Sequence, residues 1–313
     1  MVSSGYDTVT ARRRTFGFRA PKREARMTKT IGNPLTWLAG TTASAGRSAS
    51  DAAEALGSEV TTPPEVRTLS RADLRAALQK GLADFVALRS DVFFLIAIYP
   101  LIGITLALTA FHSANLHLLF PLAAGFTLLG PVIGTGLYEM SRQRETGQTT
   151  GWGTALRALR AHVLGPVLVL GVYLMGLFVV WMFAAKYIYD LTLGPLPPTS
   201  LMGFAQDVLT TGAGWQMIIL GMATGFIFAA AVLVLSLISF PMLIDRRVGL
   251  PVAVMTSVAV ARRNPGIVAT WGLIVAGSMT LGMLPAFLGL VIVLPVLGHA
   301  TWHLYRAAVP VEA

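Results

Sequence analysis

The chain of 313 residues contains no cysteine. That excludes a disulfide framework, a thiolate metal site, an iron–sulfur cluster and a cysteine nucleophile. Charge is scarce as well: Asp, Glu, Lys and Arg make up 12% of the residues, against about a quarter in soluble domains. So few charges cannot cover a water-facing surface of this size. Hydrophobic residues reach 54%, which excludes a wholly disordered chain and points to an all-α, multi-pass membrane protein. The sequence also lacks a phosphate loop, a nucleophile elbow, a dinucleotide fingerprint and HExxH. It speaks of architecture and little of chemistry.

The charge that is present is biased, with a net +9. In a soluble protein this would suggest nucleic acid. In a membrane protein it is the Lys and Arg excess of cytoplasmic segments, and no nucleic-acid partner is expected. Residues 1–69 are rich in Ser, Thr, Ala, Gly and Arg without an apolar period, the composition of a disordered cytoplasmic tail. Arg13-Arg14-Thr15-Phe16 is similar to a twin-arginine export signal, but basic residues follow it instead of an apolar region. Met27 is an alternative start. Ser70 is a candidate N-cap with Asp73 three residues on. Leu74, Leu78, Leu82, Phe85 and Leu88 then recur at helical spacing, so 70–89 reads as an amphipathic interfacial helix, with a regulatory helix as the other reading.

From Val92 to Tyr138 there is no charged residue. One helix of that length would run about 70 Å, more than twice the ~30 Å hydrocarbon thickness. The stretch must cross twice, turning at His112-Ser113-Ala114-Asn115. A membrane domain over 92–306 with six spans is expected, at about 92–111, 118–138, 163–184, 215–244, 267–283 and 286–302. Residues 307–313 follow as the C-terminus. A loop with Gly194-Pro195-Leu196-Pro197-Pro198 precedes the fourth span, and Gly282 and Pro285 mark the turn between the last two. Those two are short, and a re-entrant hairpin is the alternative. Lys and Arg number 14 before the first span, 4 between the second and third, 4 between the fourth and fifth and 1 after the sixth. Lys186 stands alone on the other face. The positive-inside rule then predicts an inner-membrane protein with both termini in the cytoplasm. Segments 151–161 and 249–263 read as short cytoplasmic interfacial helices. Tyr138, Arg142, Trp152, Trp302 and Arg306 read as membrane-interface anchors.

Residues 130–142, GPVIGTGLYEMSR, and 294–306, LPVLGHATWHLYR, end alike. Pro131 to Gly134 aligns with Pro295 to Gly298, Tyr138 with Trp302, and Arg142 with Arg306. Convergent helix-end chemistry explains this, and so do duplicated helical hairpins that each return to the cytoplasm. With LSRADLRAALQKGLADF and LFPLAAGFTLLGPVIGTGLYEMSR, these segments resemble a family of bacterial predicted integral membrane proteins, domain of unknown function 2189. The resemblance covers roughly residues 68–308. It implies a multi-pass inner-membrane protein without an agreed activity. Some relatives carry the label cytochrome c oxidase subunit I, which would need several deep histidines on different helices; only His299 qualifies here.

An ionisable residue inside the bilayer is a functional candidate by default, and none of the six expected cores holds Asp, Glu, Lys or Arg. Histidine remains. His112 and His117 flank the first turn, His162 opens the third span, and His299 and His303 lie four apart near the end of the sixth. That spacing places His299 and His303 on one helical face, a usable geometry for two metal ligands, with His162 as a third. The local sequence offers them no carboxylate support. No cofactor is expected. The leading expectation is a non-enzymatic protein that packs, binds a partner or organises the membrane, in contact with lipid and with a membrane-protein partner or a second copy. A transporter or channel for a small or apolar solute is the second reading. A haem- or metal-binding respiratory accessory protein is the third.

Overall fold

The computed structural model describes Met1 and residues 63–112, 117, 121–122, 134–148, 150, 161–194, 198 and 200–310, except for the side chains of 89–102, 106–107, 109–112 and 161–162. The chain divides into units Met1–Arg47 and Ser48–Ala313, and every element below belongs to the second. The described residues form helices and no strand. In chain order these are α1 Arg71–His112, α2 Thr135–Glu145, α3 Ala161–Thr192, α4 Leu201–Thr210, α5 Gly212–Ser236, α6 Ser239–Asp245, α7 Leu250–Arg263, α8 Pro265–Met283 and α9 Leu290–Ala308.

The start of α1 follows from its capping chemistry. Asp73 N–H donates to Ser70 Oγ, while the Asp73 carboxylate accepts from Ser70 N–H at 2.8 Å. This reciprocal box satisfies two of the helix's free donors. The end of α1 differs from expectation. Residues 70–89 and 92–111 are not an interfacial helix followed by a span but one helix of 42 residues, about 63 Å long. The reason is local: Arg89-Ser90-Asp91 contains neither proline nor glycine to stop it.

The buried stripe of α1 also differs. It comprises Leu74, Ala77, Gly81, Asp84 and Leu88, while Leu82 and Val86 stand 51% and 57% exposed. The stripe is rotated from the leucine face because α9 packs antiparallel and very close. A Cβ on Gly81 would lie 2.5 Å from the backbone nitrogen of Ala300, so only small residues fit the seam. Farther along, Gly103 lies beside Phe287. The protein's own last helix, rather than lipid, covers this face of 71–88.

Part of the presumed disordered tail is docked as well. Arg67 N–H donates to Ala308 C=O at 2.9 Å, and Leu69 N–H to Asn264 Oδ1 at 2.7 Å. Asn264 Nδ2 returns a bond to Arg67 C=O, and Leu69 is buried. Residues 67–69 of the expected tail are thus held against the helices, by an amide almost two hundred positions away.

α3 and α5 pack together and carry no charged residue outside the last two turns of α3, with Tyr173, Phe183, Phe226 and Ile227 facing outward. Large apolar side chains on the outside are what a hydrocarbon solvent selects. Among the described residues, three stretches are long and apolar enough to cross a bilayer: Val163–Thr192, Gly212–Asp245 and Pro265–Met283. That count is three, not six. α9 falls outside it because His299, His303 and Arg306 lower its hydropathy. Most of the second expected span, and many side chains of the first, lie outside the described residues.

The expected fourth span, 215–244, is broken after Ser236. Ser257 of α7 inserts its hydroxyl into the helical ladder: Ile238 N–H donates to Ser257 Oγ, which donates to Val234 C=O at 2.6 Å. Pro241 removes a further donor just beyond. An inserted side chain and a proline are two recognised causes of a kink. α7 itself coincides with the expected interfacial segment 249–263, yet buries Val252, Ala253, Thr256, Ser257 and Val260 against protein. α8 and α9 are joined by a tight turn in which Ala286 and Phe287 adopt φ of 51° and 66°.

Candidate functional site: a buried polar clamp

α1, α2 and α9 converge on Asp84. Its Oδ2 accepts from Ser141 Oγ at 2.7 Å and from His303 Nε2 at 2.8 Å. Its Oδ1 accepts from the Arg144 guanidinium at 2.7 Å. Arg144 also donates to Ala83 C=O. Ser141 Oγ lies 2.7 Å from His299 Nδ1. Ser141 is 1% exposed and His299 0%.

The hydrogen bonds fix the proton positions. Ser141 has one proton, and it goes to the Asp84 carboxylate. The remaining contact requires His299 to donate from Nδ1, leaving its Nε2 as an unprotonated acceptor. That Nε2 is buried and has no hydrogen-bond partner among the described residues. Burial opposes ionisation of Asp84, but the bonds from His303 and Ser141 and the nearby imidazoles hold its carboxyl below the usual carboxylate range.

Two further knots lie beside this one. Glu139 is gripped by Arg142 through two nitrogens at 2.7 Å and by Gln143. Asp245 accepts from Tyr305 Oη at 2.6 Å and from Arg306, while Glu145 accepts from Trp302 Nε1 and Arg306. Burial and the adjacent Asp245 push the Tyr305 phenol well above its ordinary range.

The histidine pair is thus brought to a carboxylate, but from α1 and not from its own neighbourhood. His299 Nδ1 and His303 Nε2 are both spent on hydrogen bonds. Among the described residues no group of three His, Asp or Glu stands in a metal-holding arrangement. The side chain of His162, at the start of α3, lies outside the described residues, as does that of His112. His117 stacks on Tyr189 at 4.1 Å, far from the clamp in the chain's path.

The presence of Ser, His and Asp invites comparison with a hydrolytic triad, and the geometry differs from one. A triad serine gives its proton to the imidazole. Here the serine proton points at the carboxylate, and the imidazole is the donor.

The anchors distribute unevenly. Tyr138 and Trp302 are buried in protein. Arg142 and Arg306 are half-buried and paired with carboxylates, and the Arg306 guanidinium sits over the Trp302 ring at 5.9 Å. Trp152 lies outside the described residues. Sequence reasoning missed Asp84, Ser141 and Arg144. The available signal was the spacing of Asp84 with Leu74, Ala77, Gly81 and Leu88, which places it on the small-residue face.

A chain of apolar helices with large outward side chains, most of its described ion pairs gathered away from them, is an integral membrane protein of the helical class. Residues 119–245 match the family described as "Predicted integral membrane protein (DUF2189)", the family that the sequence motifs resemble. The match begins after α1 and stops before α9, so it takes in Ser141 and Arg144 but leaves Asp84, His299 and His303 outside. No curated protein and no solved structure matches the chain.

Proposed function

We propose that this is a six-crossing inner-membrane protein, with both termini in the cytoplasm, that serves as a non-enzymatic scaffold for a membrane partner. The observation that carries this reading is the clamp itself. Its acids, bases and hydroxyl are bonded to one another, as in a structural lock, rather than poised toward a reactant.

The six-crossing path draws support from two ends of the molecule. One end gathers Arg67, Arg144, Arg246, Arg263 and Arg306 through contacts with Ala308, Asp84, Pro310, Thr68 and Asp245. The other holds His117, Tyr189, Lys186 and Asp190. From Asp84 the first helix runs roughly 28 residues to His112, about 42 Å, and Ser141 lies back beside Asp84. A return of that length is a second crossing. Segment 137–145, which overlaps the first copy of the repeat, packs in parallel on 298–306 of the second, with Leu137 on Gly298 and Glu145 on Trp302. Parallel packing is what two returning spans require.

Reporter fusions test the path. A periplasm-active reporter placed at residue 115 or 199 should be active, and a cytoplasm-active one should work after residue 313. A C-terminal reporter active outside would overturn it. The scaffold reading predicts that proteoliposomes leak ions and small solutes no faster than empty vesicles, and that crosslinking in cells captures one recurring membrane partner.

The transport reading has one observation of its own, the break between α5 and α6 held open by Ser257. Broken helices line pathways in carriers. A solute flux abolished by straightening this break would favour it over the scaffold.

A further inference from the structure

The segment between α3 and α5 reads in sequence as a loop, yet it contains a formed helix, α4. Ser200 Oγ caps it by accepting from Gly203 N–H at 3.1 Å, and Thr211 Oγ1 caps the next helix by accepting from Gly214 N–H at 2.9 Å. At 3.6 residues per turn, Phe204, Val208, Leu201, Ala205, Leu209 and Met202 form one continuous apolar arc. Gln206, Thr210, Gly203 and Asp207 form the opposite one.

The apolar arc is only half used by the protein. Phe204, Ala205 and Val208 are partly covered, with the Phe204 ring 6.3 Å from Tyr189. Leu201, Met202 and Leu209 are left open, Met202 at 78% and Leu209 at 60% exposure. The polar arc, with Gln206, Asp207 and Thr210, is exposed too. Going round the helix, Met202 and Leu209 form an open apolar sector between the covered residues and the open polar surface, and Leu201, in the first turn, is open between Val208 and Ala205.

Position decides what covers the open apolar sector. α3 and α5 are both of membrane-crossing length and character, so α4 is tied to the rim where they emerge. The Lys186–Asp190 ion pair marks the same rim. Trp215, at the start of α5, stands exposed beside the strip, its Nε1 donating to Leu209 C=O at 3.1 Å. An indole at that height is typical of the headgroup boundary. No Lys or Arg occurs in 201–210, so attraction to anionic lipid is not the driving force.

We propose that α4 lies in the plane of the membrane on the face opposite the basic end, with Leu201, Met202 and Leu209 inserted at the headgroup–acyl boundary of that leaflet. It would act as a float that fixes the depth of the α3–α5 hairpin. The proposal rests on α3 and α5 crossing the bilayer.

The absence of native cysteine makes a direct test simple. Full-length Met202→Cys, Leu209→Cys, Gln206→Cys and Thr210→Cys proteins are spin-labelled and placed in phosphatidylcholine nanodiscs, with Phe183→Cys on α3 as the control. Collision with lipid-soluble oxygen is compared with collision with a water-soluble nickel chelate. Positions 202 and 209 are expected to favour oxygen several-fold over 206 and 210, with 183 favouring it most. If 183 favours oxygen while 202 and 209 behave like 206 and 210, the float is overturned and the crossing stands. If 183 also meets nickel freely, both fail. If 202 and 209 are shielded from both reagents, a second copy covers the strip and the lipid assignment is wrong.

Discussion

The seam between α1 and α9 and the pair α3–α5 solve the same problem with opposite materials. In the seam, small residues and a carboxylate lie inside beside Leu74 and Leu88, while Leu82 and Val86 point out. Ala77, Gly81 and Asp84 are buried while Leu82 and Val86 are exposed. In the α3–α5 pair, nothing charged lies between the helices, and Trp181 packs on Phe228 with ring centroids 5.7 Å apart. Helices can associate through close backbone approach and interhelical hydrogen bonds or through the packing of large side chains. The seam uses the first two, and its strength is concentrated in a few positions. The α3–α5 contact is spread over many.

Gly81→Leu should break that comparison most severely. The added Cβ alone meets the Ala300 backbone, and a backbone cannot turn aside as a side chain can. Separating the helices also pulls the Asp84 clamp apart, so a loss above about 4 kcal/mol is expected, beyond ordinary overpacking. The readout is thermal aggregation of the detergent-purified protein, where the variant should yield little folded material. Gly225 on α5 offers the control. A Cβ there meets the far edge of the Trp181 ring at 3.0 Å, which can give, so Gly225→Ala should fold.

Asp84→Ala comes next. Removing one member of a buried charge pair costs about 3–5 kcal/mol when the partner stays trapped. Arg144 is not trapped, since its side chain is 39% exposed and can turn to water. An effect of about 2–3 kcal/mol is therefore expected, seen as a lowered melting temperature. Ser141→Ala should cost less than Asp84→Ala, because His303 and Arg144 still hold the carboxylate. Equal melting temperatures for Asp84→Ala and the parent would show that the clamp adds nothing to the fold.

Acid offers a milder way to open the same knot. The folded carboxyl of Asp84 is held below the usual carboxylate range by its bonds to His303 and Ser141. A depressed folded value means that its stabilising effect is present above the unfolded value and lost as pH falls through the folded one. The groups facing it are His303, His299, Ser141 and Arg144. The parent should thus exceed Asp84→Ala in melting temperature at pH 6, and the gap should narrow once pH drops below about 4. A gap that persists unchanged at pH 3 would assign the effect to packing rather than to the charge.

These residues also show where sequence reading succeeds. Helices Ala161–Thr192 and Pro265–Met283 cover the stretches expected as third and fifth spans, 163–184 and 267–283, because an uninterrupted apolar run and a proline at a helix start are local signals. The cap at Ser70 was legible for the same reason. What escaped depends on distant partners. Asp84 gave no local signal of its role, because Ser141 and His303 come from 57 and 219 positions away. The docking of Leu69 needs Asn264, and the break after Ser236 needs Ser257. α4 escaped for another reason: ten residues behind a proline-rich stretch are too few for periodicity to stand out.

The smallest expected effect sharpens the comparison most cheaply. Phe226 on α5 is 73% exposed. The same truncation of a buried phenylalanine, such as Phe240, costs about 3–5 kcal/mol through lost contacts and a cavity. At Phe226 no cavity forms, because acyl chains fill the space, and the hydrocarbon around the side chain is replaced by more hydrocarbon. Phe226→Ala should therefore shift stability by no more than about 0.5 kcal/mol in a bilayer. Measured in nanodiscs by thermal denaturation, a shift comparable to that of a buried phenylalanine would mean that another protein surface, and not lipid, faces α5.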